Sequence, residues 1–366
     1  MTQYYLKTSA IVDETLIQRD RMLPPEAWGE VSVPVGRAVN ANTIVAQGEV
    51  PQDIRLFDVA KIFNIKPSQT EKLAELIDVE AGDRIEQGQF LINIKSGRHR
   101  RRAPVAPDDG SVLRVENGRI FVQINPRPIQ VAARIPGKVT KLIENRGVQI
   151  ETVGALLQCA WGTGHFIYSS FAFEPDSGLA SLAKRDSRLE SARGRVYILQ
   201  RPLTAQDIQT ALEVRLDGLV ATSMPAHLKE AALRVKFPII LTDGFGEQKG
   251  TERIFAILRQ HAGQRQAAFD GYLPALWQND RPEIIIPLTT NREVIPPPIS
   301  VEARPGLRVR LQRPPYQNML GVIQNLPESP QTLENGLRTL VARVKLDTGN
   351  EITVALNNLE LLGITK

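Results

Sequence analysis

The sequence predicts a multidomain protein of the α/β plus β class, and three observations carry that prediction. The chain has 366 residues, too many for one ordinary core. It contains 25 prolines and 26 glycines, a density that favours many short strands joined by stiff turns. Between two stretches of strand texture, residues 194–290 alternate apolar runs with helical periods, the pattern of a parallel sheet covered by helices. The expected division is a β-rich domain over 1–174, an α/β domain over 194–290 and a β domain over 300–366.

Composition narrows the class. With 42% hydrophobic and 23% charged residues the chain reads as folded. Cys159 is the single cysteine, so no internal disulfide forms, and no Cys/His group has zinc spacing; neither a metal nor a cofactor is expected. No basic leader precedes an apolar run, and about 18 apolar residues never occur in succession, so the chain reads as cytoplasmic, without a membrane partner. The net charge of +5 permits contact with nucleic acid without demanding it. The concentrated basic patch is Arg98, His99, Arg100, Arg101 and Arg102, read either as a phosphate-binding hairpin tip or as a solvated tip that resists edge-to-edge association.

In the first domain, β-prone stretches at 31–33 and 43–45 precede two helical periods. One carries Leu56, Val59, Ala60 and Phe63, the other Leu73, Leu76 and Ile77 after Pro67-Ser68. From Val79 the texture is β. Gly82 and Gly88 punctuate alternating apolar positions, Ala106-Pro107-Asp108-Asp109-Gly110 turns into a strand, and a related phrase recurs at Ala133-Arg134-Ile135-Pro136-Gly137. At these residues, roughly 79–160, the chain resembles the barrel-sandwich hybrid fold of biotinyl and lipoyl carrier domains. Carriers present a modified lysine at a hairpin tip. Here that connection reads Lys95-Ser96-Gly97-Arg98 without the usual flanking residues, so the resemblance implies a scaffold and not a swinging arm.

The middle domain is expected to be a small Rossmann-like unit. Val196-Tyr197-Ile198-Leu199, Leu219-Val220-Ala221 and Pro238-Ile239-Ile240-Leu241 read as strands; Thr204 with Asp207 reads as a capping box, and Thr251 as the cap of a later helix. Sheets of this kind bind ligands at the carboxyl ends of their strands, which makes Thr222, Ser223, Thr242, Asp243, Gly244 and Gly246 the candidate ligand-binding residues. The alternative is ordinary turn and cap chemistry at the same positions. No G-x-G-x-x-G follows the first strand, no Walker sequence occurs, and no catalytic residue is assigned. Cys159, in an apolar strand ending at Trp161, reads as a buried small hydrophobe.

After the stiff run Val294-Ile295-Pro296-Pro297-Pro298-Ile299, alternation at Gly306–Leu311, Gly321–Ile323, Leu340–Leu346 and Glu351–Leu356, with Asp347-Thr348-Gly349-Asn350 as a hairpin turn, predicts an SH3-like barrel. Gly306, Val309, Leu311 and the Gly321-Val322 pair resemble the KOW family of such barrels, found in ribosomal proteins and transcription elongation factors. The turn before Gly321, Gln317-Asn318-Met319-Leu320, departs from the family pattern. The resemblance implies nucleic-acid contact through Arg308, Arg310, Arg313 and Tyr316; the alternative is that alternation alone places these arginines on a polar outer face.

Together these readings give a non-enzymatic binding or scaffold protein associated with nucleic acid or the transcription and translation machinery. The competing expectations are a small-ligand protein or enzyme centred on Asp243, and a structural assembly component that forms homo-oligomers.

Overall fold

A computed structural model describes residues 4–66, 68–93, 103–144, 146–183, 194–247, 250–272, 281–290, 294–298, 300–313, 315–316 and 319–362. Strand outweighs helix, and the elements fall into three main sheets, an arrangement of α/β plus β class.

The α/β region is built on an eleven-stranded mixed sheet. Four of its strands, Phe166–Phe173, Arg195–Leu199, Gly218–Met224 and Ile239–Phe245, run parallel side by side in chain order. Their side chains alternate between two cores because a strand's period is two. Tyr197, Leu199, Leu219, Ala221, Ile239 and Leu241 face one side, with the helices Ala205–Val214 and Lys229–Arg234. Val196, Ile198, Val220 and Ile240 face the other, against Ile254, Phe255, Ile257 and Leu258 of the helix Glu252–His261. The chain then returns through Gln266–Asp270 and Glu283–Pro287, antiparallel strands on the far side of Phe166–Phe173.

The capping box expected at Thr204 is present. The Thr204 hydroxyl accepts from the Asp207 amide at 3.3 Å, and the Asp207 carboxylate accepts from the Thr204 amide at 2.8 Å. Arg201 donates to the same carboxylate at 2.8 Å through each of two guanidinium nitrogens and to Glu174 at 2.9 and 2.5 Å. Burial alone would raise the Asp207 pKa, but Arg201 and Thr204 outweigh it and the group sits below its usual range.

Two corrections concern the first domain. Leu56 does not begin a helix. It lies on the strand Ile44–Asp58, which pairs with Arg119–Ala132 through a bulge after Ile44 and a break at Gln52, and the helix is confined to Val59–Ile62. The long-range ladder overrides the local helical period. Secondly, Tyr5–Ser9 is not part of the N-terminal β region. It runs parallel to Leu359–Leu362 and antiparallel to Ser300–Glu302, so both ends of the described chain enter the terminal β module, whose core holds Leu6 beside Val309, Leu311 and Leu361.

The paired strands Ile44–Asp58 and Arg119–Ala132 form a ribbon. Its near end packs with Val45, Val131 and Ala133 against the strands Ile11–Met22 and Gly147–Gln158. Its far end carries a separate core of Val59, Val79, Ile85, Leu91, Ala106, Val112, Ile120, Val122 and Ile124. Every residue of that core falls within 57–124, so this unit is a module with its own interior, joined to the rest through the ribbon.

Candidate functional site

Parallel pairing sets Ser223 opposite Gly244 and Met224 opposite Phe245, with a bulge after Ala221, and so gathers Thr222, Ser223, Thr242 and Asp243 at one end of the sheet. All four are buried. They belong to the strands themselves and not to the loops the sequence suggested. Gly244 and Gly246 lie at φ of 101° and 92°, a backbone region that favours glycine. Beyond them the chain folds back over the strand ends, and Gly250 lies so close to Thr222 that an added Cβ would stand 2.5 Å from its methyl carbon.

Asp243 is the centre of this cluster, and its carboxylate is fully engaged. One oxygen accepts from the Thr242 hydroxyl at 2.6 Å and the Thr251 amide at 2.9 Å. The other accepts from the Thr251 hydroxyl at 2.6 Å and from an Arg310 Nη at 3.1 Å. Thr251 therefore does not cap its helix with its side chain, as its position suggested; the buried carboxylate takes both its donors. With every acceptor direction occupied, Asp243 holds a structure together and has no free lone pair for a substrate proton.

The partner of Asp243 comes from another module. Arg310 lies on the strand Arg308–Leu311 of the terminal β module, between Val309 and Leu311 of that module's core. Alternation sends Arg310 to the outer face, as the sequence implied, but that face is covered: Arg310 and Asp243 are each 3% exposed. Glu360 stands opposite Arg310 in the register and accepts from Gln312 at 2.8 Å. Glu360 also forms an ion pair with Arg281, just before the strand Glu283–Pro287. Two cations and two carboxylates thus alternate across the junction, which lets charges leave water without a net charge being buried. Cys159 lies within the field of this group, and burial, followed by the Asp243 charge, pushes its thiol far above the ordinary range.

The remaining sequence candidates are dispersed. Arg308 pairs with Asp347 at 2.6 Å on the exposed surface. Arg313 is exposed, whereas Tyr316 packs partly into the terminal core. Arg98, Arg100, Arg101 and Arg102 lie outside the described residues. The expectation that Arg310 meets phosphate requires a guanidinium in solvent, and its burial against Asp243 denies it that role in this arrangement. Thr251, Arg281, Gln312 and Glu360 were missed as members of the cluster because none stands in a motif; their signal is only a polar residue on or beside a strand or at a helix start. Among the described residues no group of three or more His, Cys, Asp or Glu side chains is placed to hold a metal, and no helix is long and apolar enough to cross a membrane.

Comparison with models of known protein families finds no match over this chain, and comparison with curated protein sequences finds none either.

Proposed function

We propose that the protein is a non-enzymatic scaffold: a fused body of α/β and terminal β modules that carries the 57–124 module on a two-stranded ribbon and offers it to partners. The observation that carries this reading is the Arg310–Asp243 ion pair at 3.1 Å, which fills the strand ends where sheets of this kind take their ligands. A ligand there would have to expel a guanidinium from a fully bonded carboxylate. Architecture supports the reading too, since a module with a separate core on a ribbon is suited to presentation. On the sequence argument the partner is nucleic acid or a machine that handles it, and that part of the proposal rests on the arginine run at 98–102 and on exposed Arg313. The test is a thermal-shift screen of nucleotides and common metabolites against the full chain. The proposal expects no stabilisation that depends on Asp243; a compound that raises Tm in the wild type and loses its effect in Asp243→Asn would overturn it.

A further inference from the structure

From the edge of the ribbon we infer that a second copy of this chain pairs with the segment Gln52–Phe57, antiparallel and centred on Ile54. The inference rests on the scaffold reading and names one of its partners. Trp28–Val31 pairs with Ile44–Asp58 only as far as Glu49, so beyond that point the strand has Arg119–Ala132 on one side and, among the described residues, no second strand on the other. Gln52, Asp53, Ile54, Arg55 and Leu56 are all exposed, Ile54 at 64% and Leu56 at 51%. An unpaired strand with exposed branched side chains is a template for another strand.

The two open edges of the ribbon are treated differently. On Arg119–Ala132, the stretch beyond Ile124 carries Pro126 and Pro128 and has Asn125 at φ of 56°, three features that obstruct further pairing. Between Gln52 and Phe57 there is no proline.

Parity shows which backbone groups face outward. A proline stands in a ladder only where its missing N–H points away from the neighbouring strand. In the register Pro51 faces Pro126 and Glu49 faces Pro128, so this parity faces the open edges. Beyond Pro51 the register skips Gln52 and Asn125 and the parity changes. Val112 bonds to Gly82 and Asp83 and so faces away from Val122, which turns Val122 and Ile124 toward Arg55 and Asp53 and leaves Gln52, Ile54 and Leu56 presenting their N–H and C=O groups outward.

Charge selects both the occupant and the register. A two-fold axis at Ile54 sets Asp53 of each copy against Arg55 of the other, so two opposite-charge pairs flank an Ile54–Ile54 contact. Centring on Arg55 would instead set two guanidinium groups together. On the face of Ile54, Leu56 lies diagonally across from the other copy's Ile54, giving a short apolar stripe. The segment is short, and the dimer is correspondingly weak and concentration-dependent.

The chain supplies a clean probe, because its single cysteine, Cys159, is buried. Ile54 would meet its symmetry mate as a hydrogen-bonded pair, with Cα atoms about 5.5 Å apart, within disulfide reach. In the full chain at high concentration under mild oxidation, Ile54→Cys is expected to give a covalent dimer and Leu56→Cys, four positions out of register with its mate, to give none. Sedimentation velocity supplies the second arm. Asp53→Arg should weaken association about tenfold, and the exchange Asp53→Arg with Arg55→Asp should restore it. Absence of dimer, or a dimer that cross-links through Leu56→Cys and ignores the charge exchange, would overturn the inference. Either result leaves the scaffold reading standing, since that reading fails only on a ligand that depends on Asp243.

Discussion

Removing one half of the Asp243–Arg310 pair perturbs the molecule asymmetrically, and the asymmetry follows from the hydrogen bonds around it. Arg310→Met leaves the carboxylate with three donors, the Thr242 hydroxyl and the Thr251 amide and hydroxyl. Asp243→Leu leaves a buried guanidinium without that anion and strands those same donors. Breaking a buried ion pair from one side costs about 3–5 kcal/mol. The arginine variant belongs at the low end, and the aspartate variant at or above the high end because each stranded donor adds about 1 kcal/mol or more. The double variant should cost less than the two singles together by about 2 kcal/mol, the coupling of groups in one network. Urea titration followed by circular dichroism and tryptophan fluorescence measures all four corners of the cycle. In the wild type the α/β and terminal β modules should unfold together; in either single variant the transition should broaden or split as the junction loosens. Costs that add to within about 0.5 kcal/mol, or an Arg310→Met variant as stable as the wild type, would refute the reasoning.

Three further outcomes are expected. The depressed pKa of Asp207 means that its carboxylate stabilises the fold above the unfolded carboxyl value of about 3.9 and loses that contribution as pH falls through the lower folded value. The stability gap between wild type and Asp207→Asn should therefore hold from neutral pH to about 5 and close below about 4, as read by urea midpoints across pH. Cys159, with its thiol driven upward by burial, should resist a disulfide-exchange reagent in the native chain and react fully after denaturation. Arg308→Ala should leave any retention of nucleic acid at about 50 mM salt unchanged in a mobility-shift assay, because Asp347 already neutralises that guanidinium; substitution of Arg100, Arg101 and Arg102 by Ala should reduce it.

Much of the middle region was legible because local chemistry and tertiary structure agree there. The apolar runs at 196–199, 219–221 and 239–241 have no choice but a doubly covered sheet, and Thr204 with Asp207 forms the box its spacing implies. Leu56 was misread because helical spacing over four residues is weaker than a ladder that runs from Ile44 to Asp58. The strand Tyr5–Ser9 could not be assigned to its sheet, since its partner lies at the other end of the chain and parallel pairing leaves no turn signal. At the candidate site, Thr222, Ser223, Thr242 and Asp243 lie together at one end of the sheet, as their strand-end positions imply. What went unseen was the cover: alternation placed Arg310 on the outside of its module, but nothing in a one-dimensional pattern records that another module's carboxylate lies against that face.

The central claim is that the terminal β module is bolted onto the strand ends of the α/β sheet by Arg310. The most direct measurement is an electron paramagnetic resonance distance between spin labels at exposed Gln206 and Thr353, one on each module, with buried Cys159 left in place. The account predicts one narrow distance distribution that widens in Arg310→Met. A distribution already broad in the wild type, or unchanged in the variant, would contradict it.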